Sequence, residues 1–189
     1  MCYFLFVVES GNLCGNVVIL KSLKRHTSIN MDFLGEHKCK LDEKGRLRLP
    51  TALKQQMNPV ANGKFVINRG FDGCLELYPM DYWVQLKKVM DKKLNKFNSA
   101  HREFYRRFTS GATELSLDGA DRINFPKHLM EYADIKNECY LTPGQNTIEV
   151  WSVQKYEERI NNFNSDAYQD IANEVMGNIN LWDDESPKN

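Results

Sequence analysis

Lys44, Arg46 and Arg48 fall within one five-residue stretch, and that spacing is the strongest chemical signal in the chain. A guanidinium donates two parallel hydrogen bonds, which suits phosphate oxygens and the edge of guanine. Strand alternation would place Arg46 and Arg48 on one face and Leu47 and Leu49 on the other. Lys44 sits in the adjoining turn, so three cations would project from one short hairpin. Lys38 and Lys40 share a parity on the preceding segment and would extend the patch. The plainer reading of such a pattern is the solvated outer face of a strand. Two features argue against it: the cations flank a tight turn, and the arginine recurs later in the chain as Arg122.

Other chemistry finds little support. Asp118 and Asp121 have a spacing that could make paired carboxylates, but they lie in a repeated turn, where aspartate serves turn geometry. There is no nucleophile elbow, phosphate loop or zinc signature. The five cysteines include no C-x-x-C pair, which fits reduced thiols in a cytosolic protein. His37 and Cys39 could share a strand face, yet two ligands do not make a metal site. The expectation is no catalytic residue, no metal, no cofactor and no small-molecule substrate.

The elements that must hold these residues can be read locally. Asp42 to Gly45 has the signature of a type I turn, with Asp first and Gly last. Residues 33–41 read as a strand before it, and 46–49 as a half-buried strand after it. Leu49 precedes proline and stays extended. Pro50 suits the first position of a helix whose apolar face carries Leu53 and Met57. Residues 65–68 and 74–78 read as a hairpin pair around Gly70 and Gly73.

This order is written twice. Leu41-Asp42-Glu43-Lys44-Gly45-Arg46-Leu47-Arg48-Leu49-Pro50 aligns with Leu117-Asp118-Gly119-Ala120-Asp121-Arg122-Ile123-Asn124-Phe125-Pro126. Leu53 then matches Leu129. Leu75-Glu76-Leu77-Tyr78 matches Ile148-Glu149-Val150-Trp151, and five residues later Trp83 matches Tyr156. Between the copies, Trp83, Leu86, Met90 and Leu94, then Phe104, Tyr105 and Phe108, predict two helices broken near Asn98. Their basic residues (Lys87, Lys88, Lys92, Lys93, Lys96, Arg102, Arg106, Arg107) read as a solvated or acid-paired face. Trp83, Trp151 and Tyr156 read as core aromatics. A helix is expected over 153–163, then a weakly helical stretch with Ile171, Val175 and Met176, then an acidic tail at Trp182-Asp183-Asp184-Glu185.

The formal net charge is zero over 189 residues, so any nucleic-acid affinity must come from how charge is distributed. No apolar run reaches the roughly 18 residues of a membrane helix. Residues 1–30 have no clear period, and they read as an extension upstream of a patterned start at Met31.

With these motifs in place, the chain resembles the MraZ family of bacterial regulators, built from two tandem AbrB-like (SpoVT-AbrB) domains. The resemblance rests on Met31-Asp32-Phe33-Leu34-Gly35-Glu36, on the first block closing at Pro50 and on the second closing at Pro126. It covers about residues 31–163. It implies an α+β fold of two swapped-hairpin β units forming a pseudo-dimeric barrel, with bridging and C-terminal helices. The implied division is 31–82 and 111–158 for the repeats, 83–110 for the bridging helices, and 159–189 for the last helix and tail. It further implies a ring-shaped homo-oligomer on double-stranded DNA carrying spaced short repeats, in the cytoplasm at the nucleoid. The family's role is repression of the division and cell-wall gene cluster and of its own gene. The DNA contacts of the family map to Lys44, Arg46 and Arg122, with Arg48 added from the strand pattern. The sequence departs from the family at Asp121, where glycine is usual, and the second copy has Ala120 and Asn124 in place of Lys44 and Arg48. The first copy is therefore expected to dominate contact. An antitoxin-type assembly protein is the alternative.

Overall fold

The computed structural model describes residues 33–57, 63–162 and 164–177. The expectations for residues 1–30, for the start at Met31 and for the acidic tail lie outside the described residues. The fold is α+β, with two β-sheets and several helices.

The first half runs β1 (His37–Lys40), β2 (Arg46–Arg48), α1 (Thr51–Gln56), β3 (Lys64–Arg69), β4 (Leu75–Pro79) and α2 (Met80–Lys93), followed by α3 (Ser99–Thr109). The second half repeats the order with β5 (Thr113–Ser116), β6 (Arg122–Asn124), α4 (Lys127–Ala133), β7 (Glu138–Pro143), β8 (Ile148–Ser152), α5 (Val153–Asn161) and α6 (Ser165–Met176). The strand expected over 33–41 is shorter than its pattern. Gly35 takes φ +98, a conformation outside extended backbone, so the ladder begins only at His37. Pro50 and Pro126 cap their helices from outside rather than filling the first helical position. The break between α2 and α3 falls where the sequence placed it. The Asn98 side chain accepts from the amides of Ala100 (2.9 Å) and His101 (3.3 Å), which satisfies two of the orphan donors at the start of α3. Helix α5 stops at Asn161, short of the expected Phe163, which is not among the described residues.

Strand pairing crosses between the halves. The six-stranded sheet has the order β1-β7-β8-β4-β3-β5, and the second sheet is β2 paired with β6. Thus β1 of the first half lies on β7 of the second, β5 of the second lies on β3 of the first, and both pairings are antiparallel. The strand order reads the same from either end once equivalent strands are exchanged. Leu47 and Ile123 face each other at the middle of the small sheet and are fully buried. They join Leu53, Leu129, Phe65, Leu75, Leu77, Leu141, Ile148 and Val150 in one core between the sheets. Two equivalent apolar sets, each too small to bury its own strands, make one core by interdigitating.

Candidate nucleic-acid interface

The turn before β2 is built by one aspartate. Asp42 Oδ1 accepts from the amides of Lys44 (2.9 Å) and Arg46 (3.0 Å). Its Oδ2 accepts from Arg46 Nε at 2.7 Å and lies 2.7 Å from Nη2. Gly45 N–H donates to the Asp42 carbonyl at 2.9 Å, and Gly45 takes φ +73. The second copy repeats this bond by bond. Asp118 Oδ1 accepts from Ala120 N (2.8 Å) and Arg122 N (3.0 Å), and its Oδ2 accepts from Arg122 Nε at 2.8 Å. Asp121 takes φ +58 where the first copy has glycine. Short polar side chains enter this region at a modest cost. Its charge is met by Lys54 Nζ of α1, 2.5 Å away, so the negative charge beside Arg122 has a partner of its own.

These clasps hold both carboxylates ionised. The Arg46 guanidinium keeps Asp42 at about 2, and the Arg122 guanidinium does the same for Asp118. Each backbone amide that donates to the carboxylate adds to the effect. Asp42 in turn raises the pKa of Arg46 further. The motif arginines are therefore fixed in position, with one edge engaged inside the turn.

The small sheet then decides which side chains share a face. Its register sets Arg46 against Asn124, Leu47 against Ile123, and Arg48 against Arg122. Leu49 N–H donates to the Asp121 carbonyl at 2.9 Å and Phe125 N–H to the Gly45 carbonyl at 3.2 Å. The turn of each copy is thus tied to the strand end of the other. With Leu47 and Ile123 buried, Arg46, Arg48, Arg122 and Asn124 all lie on the outward face of one two-stranded ribbon. Lys44 stands exposed at one end of it.

Two expectations need correction. The cations do not sit on a hairpin of β1 with β2. Those strands touch through a single bridge, Leu41 to Leu47, because each half lends its strands to the other. Lys38 and Lys40 do not extend the ribbon. They belong to the six-stranded sheet, where both reach Glu138 of β7, at 3.6 and 3.5 Å. The expectation that the acidic residues of the second copy serve turn geometry agrees with the structure. On the basic helices, Glu103 takes Arg106 (3.5 Å) and Arg107 (2.7 Å). Trp151 is buried, whereas Trp83 is half-buried and stacks on Phe108 at 5.8 Å. Tyr156 packs on Tyr140 at 4.6 Å, and its hydroxyl donates to Glu36 at 2.7 Å.

Asn124 was missed from the sequence, where it looked like a cation replaced by a neutral residue. An antiparallel pairing of the two copies would have shown it opposite Arg46, but nothing in either block states that they pair. Arg48 and Arg122 are equally informative. Like charges directly opposite on neighbouring strands disfavour pairing, and here the ribbon accepts that cost on its exposed face. No group of three or more potential metal ligands occurs among the described residues. No helix among them is long and apolar enough to cross a membrane.

Comparison with known proteins agrees with the duplicated ribbon. The family model described as "MraZ protein, putative antitoxin-like" matches residues 33–107 and again residues 108–178. This chain belongs to the MraZ family. A protein of Christiangramia forsetii named transcriptional regulator MraZ is 42% identical over 149 residues, covering 78% of this chain and 95% of its own length. A protein of the same name from Flavobacterium psychrophilum is 40% identical over 154 residues, covering 80% of this chain and 95% of its own length. Within this MraZ-family chain, the two matched segments each contain one Asp–Arg clasp and one strand of the ribbon.

Proposed function

We propose that this MraZ-family chain is a sequence-specific DNA-binding transcriptional regulator, a repressor of the division and cell-wall gene cluster and of its own gene. The observation that carries the reading is the β2·β6 ribbon, with exposed Arg48 and half-buried Arg46 and Arg122 on its outward face and Lys44 exposed at its end. A two-stranded ribbon fits the major groove of B-DNA, and arginine is the commonest reader of guanine there. The relatives' name, transcriptional regulator, supports the same reading. It is a non-enzymatic protein in this view, acting in the cytoplasm at the nucleoid.

In the finer form of the proposal the exchanged strands close a pseudo-dimeric barrel from repeats at 31–82 and 111–158, joined by the helices of 83–110 and followed by a C-terminal region at 159–189. Several copies form a ring that presents one ribbon each to consecutive short repeats on double-stranded DNA. One ribbon binds weakly. Linking ribbons raises their effective concentration, so spaced repeats are held far more tightly than one. Repression follows from promoter occlusion.

The test is a gel shift of the full chain on the DNA upstream of its own gene, with Arg46→Ala as control. Wild type should shift that fragment. Arg46→Ala should bind far more weakly and show a salt dependence shallower by about 0.9 for each phosphate it no longer neutralises. Wild-type affinity for Arg46→Ala across several salt concentrations would refute the assignment. The antitoxin-type alternative has support in the family's own description. A pull-down with and without residues 165–189 separates it, because a toxin partner would be released with that segment.

A further inference from the structure

Helix α6 is amphipathic, and its aliphatic side faces solvent. Ile171 and Val175 are spaced i, i+4, which places them on one stripe. They are exposed by 58% and 63%. Helix α3 holds the corresponding place at the end of the first matched segment, and it behaves differently. It lays Phe108 against the Tyr78 and Trp83 rings, with Phe108 stacked on Trp83 at 5.8 Å and on Phe104 at 5.8 Å. A helix of 12 residues is at the margin of stability in water without tertiary contacts, so an aliphatic stripe left in solvent on it calls for a partner.

The same chain carries an open groove of complementary character. Phe71, Phe104, Phe108 and Tyr132 line it together with Arg69 and Arg107, and its volume is about 480 Å³. Phe71, on the turn between β3 and β4, is 78% exposed. Arg69 lies over the Tyr132 ring at 5.3 Å and donates through Nη1 to Ser110 at 3.1 Å. Its Nε is buried and has no acceptor among the described residues. The groove is thus aromatic, with two arginines and no carboxylate in its lining, and Arg107 also bonds Glu103 beside it at 2.7 Å. Helix α6 is aliphatic on one side and negative. It carries Asp166, Asp170 and Glu174 and no lysine or arginine, and Glu174 borders the Ile171–Val175 stripe on the helical wheel.

We infer that α6 of one copy docks in this groove on a second copy, with Ile171 and Val175 against Phe71 and Phe104 and with Glu174 toward Arg69 and Arg107. Two complementary surfaces at different places on one molecule make a head-to-tail contact, and such contacts close into rings when the rotation permits. The inference rests on the oligomer in the reading above and names the surfaces that join it; it does not depend on DNA binding. Helix α6 spans about 18 Å at 1.5 Å per residue, enough to lay both aliphatic residues across the aromatic rims.

Cross-linking on mixing tests it. Cys2 and Cys14 are first replaced by serine. One full-length sample then carries Val175→Cys and another Phe71→Cys, and they are mixed with oxidised glutathione. A disulfide-linked dimer should form in the mixture and be absent from either sample alone. A chain carrying both substitutions should give a ladder of multimers. A bond only within single chains, only between like chains, or none at all would overturn the docking. Sedimentation of the unoxidised full chain supplies a second measure. Ile171→Asp and Arg107→Glu should each shift the assembly toward monomer, and Glu174→Arg combined with Arg107→Glu should recover part of the wild-type assembly. No recovery in the charge swap counts against the pairing. A wild type that assembles while the cross-link fails removes the docking alone, whereas a monomeric wild type removes the ring reading with it.

Discussion

Arg48→Gln should make the protein more stable and a worse DNA binder at the same time. Arg48 stands directly opposite Arg122 on the exposed face of the ribbon. The amides flanking this pair bond across the strands at Leu49–Asp121, so Arg48 and Arg122 form a non-hydrogen-bonded pair, with Cα atoms about 4.5 Å apart and side chains close. Asp118 clasps Arg122 at 2.8 Å and relieves part of the repulsion. Arg48 has no such carboxylate among the described residues. A like-charged cross-strand pair is worth about 0.2–1 kcal/mol against pairing. For a chain of this size that corresponds to a rise in Tm of up to about 4 °C on removing one charge. Glutamine keeps much of the stem, so packing changes little. The gain should shrink between low salt and 1 M salt, where the screening length falls to about 3 Å. Binding is read by fluorescence anisotropy on a duplex from the upstream region. If Arg48 grips a phosphate, the salt slope drops by about 0.9. If it reads a base edge, affinity falls roughly 5- to 150-fold, the equivalent of about 1–3 kcal/mol of base readout. A variant that is less stable than wild type at low salt, with unchanged affinity and slope, would show that the pair is neither strained nor functional.

Four further outcomes are expected. Asp42 and Asp118 have folded-state pKa values of about 2, below the ordinary 3.8. Their contribution is therefore complete above the ordinary value and disappears as pH falls through about 2; carboxyl NMR titration should show both midpoints well below the ordinary aspartate value. Gly45→Ala should lower stability by roughly 1–2 kcal/mol, because φ +73 is strained for a side chain, and thermal unfolding checks it; Asp121→Gly should show no comparable drop. Burial pushes the Cys74 and Cys139 thiols up to about 12, so peptide mapping after alkylation of the native protein at a pH of about 8, near the ordinary thiol pKa, should find both unlabelled. Asn124→Ala should relax base preference at one position of a motif selected from random duplexes while leaving the salt slope unchanged; an identical selected motif would count against a base contact at Asn124.

The turn chemistry was legible from the sequence because it is local. Every bond of the Asp42 clasp joins residues no more than four apart, so the block contains its own explanation, and the second block repeats it. The alternation of Arg46, Leu47 and Arg48 likewise fixed which side chains oppose the core, since the period of a strand is two. The break at Asn98 was readable for the same reason: a cap acts within three residues. What alternation cannot state is the identity of the neighbouring strand. Both blocks carry the same apolar pattern, so β2 could satisfy it against β1 or against β6. The choice was made by the core, where Leu47 and Ile123 bury each other only if the halves exchange strands. That choice set Arg48 against Arg122, brought Asn124 onto the cationic face, gave Asp121 its partner in Lys54 and removed Lys38 and Lys40 to Glu138. Sequence determined the two turns and the faces of their strands, which depend on a few bonds between near neighbours. Tertiary structure decided that the two faces are one, because burial is shared between residues about 76 positions apart and no local pattern records it.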